Sequence, residues 1–341
     1  MFILLLVLNI SCKRDPVVKD PEPPVYGIEF TVPANWPQPI YTFQNNPLTE
    51  DGFRLGRKLF YETRLSKDNT ISCGSCHQQF AGFAHSAHTL SHGINGLLGT
   101  RNAPALSNLN WHPAFMWDGG VNHIEVQALV PINNPVEMNE NITNVIAKLN
   151  ADANYRILFK NAFGDTVITS QRMFKAMAQF MGMLTSSNSK YDKVMRNENG
   201  EEFSASEESG LTTFRQKCAV CHKEPLFSDF YYRNIGMAVS PVLNDSGRAH
   251  ITGAGNDRFR FKVPSLRNVV VSWPYMHDGR CPSLDQAIDV HTSGNVVSPT
   301  LDPLLINGIP LTTQEKQNII SFLQTLTDHD FLSDPRLKNP N

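Results

Sequence analysis

The stretch Cys73-Gly74-Ser75-Cys76-His77 decides the fold. Two cysteines three positions apart, followed at once by a histidine, form the attachment signature of a c-type haem. Each thiol adds to a vinyl group of the porphyrin as a thioether, and the adjacent His is held against the iron as its proximal ligand. The pattern recurs as Cys218-Ala219-Val220-Cys221-His222. Recurrence turns a motif into an architecture: two haems in two related halves.

Two CxxC pairs are also the donor set of one structural zinc. Here Cys73 and Cys218 lie 145 residues apart, and a His directly follows the second Cys of each pair. Both facts favour haem over zinc, and the trailing His leaves a plain redox dithiol unexplained. Cys281 is a further thiol outside the pentapeptides and reads as a partly buried free Cys.

The chain has 341 residues, long enough for two domains. Charged residues make up 18 % and hydrophobic ones 41 %, so most of it is expected to be globular. A formal net charge of −2 gives no basic excess for nucleic acid. Phe2–Leu8 is a short apolar run, too short to span a bilayer, and it ends at Leu8-Asn9-Ile10-Ser11-Cys12. This resembles a lipoprotein signal with Cys12 as the lipidated residue, although no Lys or Arg precedes the run. An ordinary cleaved signal is the other reading. Either one places the protein in the periplasm, where c haems are attached in bacteria.

Four segments are expected: a lipoprotein-type signal over 1–12, a Pro-rich tether over 13–40, and two domains over 41–198 and 199–341. Prolines 16, 21, 23, 24, 33, 37 and 39 keep the tether extended, with an arm packing on a domain near Trp36. Thr49 caps a helix with Glu50 and Asp51 in its first turn and Phe53, Leu55, Leu59 and Phe60 at helical spacing. A long loop over 78–110 carries His85, His88 and His92, and a loop of that length reads as functional. Helical patterns return over 123–130, 141–163 and 170–184, and the polar run Arg196–Gly200 marks the domain boundary. Ser204 or Ser206 opens the helix that enters Cys218, and two helices over 283–291 and 313–327 close the chain. The fold class is therefore mostly α, with two cytochrome c-like domains, each carrying one covalently attached haem.

Longer segments resemble the bacterial dihaem cytochrome c peroxidase family, which includes the methylamine-utilisation (MauG-type) enzymes. They are Arg64-Leu65-Ser66-Lys67-Asp68-Asn69-Thr70-Ile71-Ser72-Cys73, Gly99-Thr100-Arg101-Asn102-Ala103-Pro104, Trp117-Asp118-Gly119 and Pro131-Ile132-Asn133-Asn134-Pro135-Val136-Glu137-Met138. In the second half they are Val263-Pro264-Ser265-Leu266-Arg267-Asn268 and Pro274-Tyr275-Met276-His277-Asp278-Gly279. The resemblance spans roughly 48–330, in the family's order. It implies reduction of hydrogen peroxide to water with electrons from a small c-type cytochrome or similar donor. It also implies a division of labour, with the first haem meeting peroxide and the second taking in electrons. A homodimer is common in the family.

The resemblance assigns roles. Glu137 stands at the distal acid/base position and Gln127, ten residues earlier, at the position that orients peroxide. His92 stands in the loop whose His ligates the peroxidatic iron in resting forms, with His85 and His88 as competitors. Trp117 matches the tryptophan between the haems, and Asn102 the residue that helps bind a calcium ion, with backbone oxygens near Lys262 to Pro264 as co-ligands. At the far face of the second haem the family places Met or Tyr, whereas the corresponding position here is His291, so a bis-His haem is expected; Met276 and Met237 are the other candidates. Two other readings remain open: a MauG-like oxidase acting on a protein or organic substrate, and a non-enzymatic dihaem electron-transfer protein.

Overall fold

The computed structural model describes residues 27–340. The apolar run, Cys12 and the first half of the Pro-rich segment lie outside the described residues. The fold is mostly helical, and the strands among the described residues are one antiparallel pair, Tyr232–Arg233 against Phe261–Lys262.

The same helical device is built twice. Helix Glu50–Phe60 starts where the Thr49 side chain accepts from the Gly52 amide, with acids in its first turn and Arg57 and Lys58 in its last. Its buried face packs on helix Ser170–Gly182, which Thr169 caps. The two cross at Gly56, where a Cβ would collide with the Ala176 carbonyl oxygen. In the second half, Ser204 and Glu207 form a capping box on helix Ala205–Lys217, and Thr312 and Glu315 form one on helix Thr313–Gln324. These helices cross at Gly210, where a Cβ would collide with the Asn318 carbonyl oxygen.

The turns repeat as well. Asn108 and Asn268 both sit in the left-handed region, at φ 59° and 58°, and each opens a short 3-10 turn. Phe115 pairs with Val121 and Tyr275 with Cys281, closing two equivalent loops. Each loop holds a Met at positive φ (Met116 66°, Met276 76°) and a Gly three residues on (Gly119 73°, Gly279 66°). The segments 102–121 and 262–281 are therefore structural copies.

Two main hydrophobic clusters follow this repeat. One is built around Phe60, Phe83, Tyr155, Phe159 and Phe180, the other around Phe214, Phe227, Phe322 and Leu323. A third, smaller cluster of Trp36, Trp111, Leu226 and Phe230 lies between them. Trp36 meets Trp111 edge-on at 4.9 Å and lies 4.5 Å from the Arg267 guanidinium, so the arm before residue 41 touches both halves.

Three details differ from the sequence reading. The 141–163 pattern is two helices, Ile142–Ala151 and Ala153–Phe163, because extended Asp152 ends one and its side chain caps the next. The packing also changes sides before the polar run at 196–200. Tyr191 already belongs to the second cluster, and Asp192 is paired with the fully buried Arg267 at 2.8 Å. At the other end, Phe331 and Leu337 return to the first cluster.

Candidate functional site

Both pentapeptides open on one cavity of about 980 Å³ between the two halves. Cys73–Cys76 forms a single helical turn, capped by Ser72 and Ser75. The histidine after it is fixed by a backbone carbonyl: His77 Nδ1 lies 2.9 Å from the Phe83 oxygen. His222 Nδ1 lies 3.1 Å from the Phe227 oxygen. In each ring Nδ1 carries the proton and donates it, which leaves Nε2 with a free lone pair. Burial pushes both imidazoles down to about 4, so they are neutral, the form that ligates a metal. Two thiols and one oriented, neutral imidazole at each end of a large apolar-walled cavity fit one covalently attached haem apiece.

The sequence-derived residues divide between these ends. Glu137 follows the short helix Leu129–Asn133, where the Asn134-Pro135 turn sends the chain back: the Glu137 amide donates to Asn134 O at 3.0 Å. Its charge is felt by both Cys73 and Cys76, which places the carboxylate beside the first anchor. Burial pushes the Glu137 carboxyl up, opposed by a hydrogen bond from Asn134. Gln127 is buried at 8 % exposure and lines the same cavity. His291 stands at the other end, near enough for its charge to act on His222. Its Nδ1 lies 2.9 Å from the Ala287 oxygen and burial lowers its pKa, so this ring is also neutral with Nε2 free. Met276 and Met237 line the cavity as well.

His85, His88 and His92 are gathered in one cluster of rings, a grouping not apparent from their spacing in a long loop. The rings of His85 and His88 are parallel at 4.0 Å, and His92 meets His88 edge-on at 4.5 Å. His92 alone of the three lines the cavity. Its hairpin is fastened to the acid/base candidate, because the Ile94 amide donates to the Glu137 carbonyl at 2.8 Å. Burial, with the neighbouring His88 and His92, pushes His85 down to about 4.

Trp117 faces the cavity, and its indole N–H donates to the Asn102 carbonyl at 2.9 Å. Asn102 is buried and turns its amide nitrogen to the carbonyls of His88 and Thr89, at 2.9 and 3.2 Å. Among the described residues no group of three or more His, Cys, Asp or Glu side chains forms a metal cage. A cation at Asn102 would therefore rest on neutral amide and carbonyl oxygens. Sequence reasoning gave no role to the side chain of Lys262, whose ammonium donates to Ala114 O at 2.6 Å and lies 3.5 Å from His112 Nδ1. Burial lowers it to about 7.

The repeat, the paired anchors and the shared cavity define a dihaem c-type protein. Its first half, residues 50–200, matches the family model described as di-haem cytochrome c peroxidase. The chain is 33 % identical to the methylamine utilization protein MauG of Methylorubrum extorquens, over 87 % of this chain and 83 % of that one. It is 34 % identical to the cytochrome c551 peroxidase of Nitrosomonas europaea, over 86 % of this chain and 85 % of that one. A crystal structure of a MauG-like protein associated with microbial copper homeostasis superposes with a TM-score of 0.82 at 29 % identity, covering 92 % of this chain and 99 % of that one. The chain belongs to the di-haem cytochrome c peroxidase family.

Proposed function

We propose that the protein is a dihaem c-type peroxidase that reduces hydrogen peroxide to water with electrons from a small c-type cytochrome or similar donor. The observation that carries this reading is the difference between the two ends of the shared cavity: the buried carboxyl of Glu137 stands beside the first CxxCH, and the buried imidazole of His291 beside the other. Relatives bearing the peroxidase name support it.

Cys73, Cys76 and His77 would hold the first haem, and Cys218, Cys221, His222 and His291 the second. When bound, the first haem would supply the redox-active iron at which peroxide is reduced. Glu137 would take a proton from one peroxide oxygen and return it to the other, so that the oxygen receiving it leaves as water. Its burial suits this role, because a carboxyl whose pKa is raised toward the working pH both takes and gives a proton. Gln127 orients the peroxide by hydrogen bonding. The full reaction takes up two electrons and two protons per peroxide and releases two waters. Trp117 stands on the path by which electrons arrive, and His92 is the candidate ligand of the resting first haem.

The remaining parts of this reading are the division into haem domains over 41–198 and 199–341, a periplasmic location, attachment through a lipidated Cys12 and a homodimer. No described helix is long and apolar enough to cross a membrane. A calcium ion at Asn102 is included because the oxygens there suit a hard cation; chelation tests it. The relatives named MauG favour a second reading, oxidation of a protein or organic substrate. Steady-state assays with peroxide separate the two. The peroxidase reading expects rapid oxidation of reduced cytochrome c. It is overturned if peroxide is consumed only when an organic or protein substrate is supplied.

A further inference from the structure

The seam between the halves contains a closed ring of contacts that joins Trp117 and Asn102 to two residues given no role so far, His277 and Phe261. The Trp117 indole donates to Asn102 O at 2.9 Å. The Asn102 amide donates to His277 O at 2.7 Å. The His277 imidazole lies flat on the Phe261 ring, centroids 3.7 Å apart and planes 12° from parallel. Phe261 is joined through the chain to Lys262, whose amide donates to Trp117 O at 2.7 Å. The ring thus returns to Trp117.

The repeat explains why it closes. Asn102 and Lys262 are equivalent positions, as are Trp117 and His277. Each half therefore donates one backbone N–H to the other half's cavity loop, at the same 2.7 Å. Trp117 has a counterpart, and that counterpart is an aromatic ring facing the same cavity. The surroundings hold the ring pair in place: Arg101 lies 5.6 Å from the Phe261 centroid and is anchored to Asp245 at 2.6 Å.

We propose that His277, stacked on Phe261 and tied through Asn102 to Trp117, is a positioning residue for electron passage between the two haem sites. This rests on the dihaem reading above. One electron leaves the site at His222 and arrives at the site at His77; His277 gains no charge, proton or bond. Its effect is to keep the Phe261–Lys262 strand and the Trp117 loop at fixed separation, so that the aromatic path stays closed.

Pulse radiolysis of the holoprotein tests this, with the electron's redistribution between the two haems followed optically. His277→Ala is expected to slow redistribution by about tenfold, within the range found for residues on a coupling network. His277→Phe, which keeps a flat ring on Phe261, is expected to restore it to within about twofold. Phe261→Leu removes the other ring and serves as a second variant if His277→Ala does not fold. A merely structural role would lower the melting temperature without slowing redistribution in protein that carries both haems. Wild-type rates in His277→Ala and Phe261→Leu, with two haems bound and normal spectra, overturn the proposal. A chain that binds fewer than two haems overturns the dihaem reading instead, so the two failures are distinct.

Discussion

Replacing Glu137 by Gln removes the proposed proton carrier and little else. The amide has the carboxylate's size and still meets Asn134, so both haem spectra and the melting temperature are expected to hold. General acid–base catalysis by one positioned group is worth about 10²–10⁴ in rate, and the loss in peroxide reaction should fall in that range. The burial of Glu137 adds a pH signature. Its carboxyl is raised above the ordinary range, and the ionised form is the one that accepts the first proton. The wild-type rate therefore rises with pH through that raised pKa and falls below it, whereas the Gln variant stays flat across the same range. Stopped-flow mixing of activated protein with peroxide, run from acid to neutral pH, reads both effects. A loss smaller than about tenfold, or an unchanged acid limb in the variant, would refute the role given to Glu137.

Other consequences are equally specific. His291→Met replaces imidazole by a thioether and should raise the potential of the second haem, read by spectroelectrochemistry; an unchanged potential and spectrum would remove His291 from that iron. Gly56→Ala and Gly210→Ala each drive a methyl group into the facing helix backbone. Each should destabilise by about 1–3 kcal/mol or more in denaturant unfolding, and equal stability would contradict the close crossings. Asp192→Asn leaves the fully buried Arg267 without its counter-charge and should cost about 3–5 kcal/mol. Burial pushes the Asp192 carboxyl up, and Arg267 more than reverses it, so the folded pKa lies below the unfolded one. That stabilisation is present above about pH 4 and is lost as pH falls through the lowered value; a wild-type acid-unfolding profile in Asp192→Asn would contradict it.

The two haem anchors were legible because their chemistry is local: two thiols and a histidine within five residues carry the whole signal. The helix cap at Thr49 was legible for the same reason, and the second was narrowed to Ser204 or Ser206, of which Ser204 is the cap, each being a side chain and an amide within one turn. Fine boundaries were not. The split at Asp152 depends on one extended residue inside an unbroken apolar pattern. The early change of sides at Tyr191 depends on Arg267, 76 residues away in sequence. The histidine cluster and the ring through Trp117 and His277 depend on non-local pairing, which periodicity does not encode. The Asn102 amide likewise meets His277 only because the two halves are copies facing one another.

The stoichiometry of peroxide reduction tests the central claim most directly. Protein carrying both haems is mixed with an excess of reduced small c-type cytochrome and a measured amount of hydrogen peroxide, with and without prior reduction of one haem. The account predicts two cytochromes oxidised per peroxide, with water as the product and no organic substrate required. Peroxide that disappears without cytochrome oxidation, or cytochrome that stays reduced in every state of the protein, would contradict it.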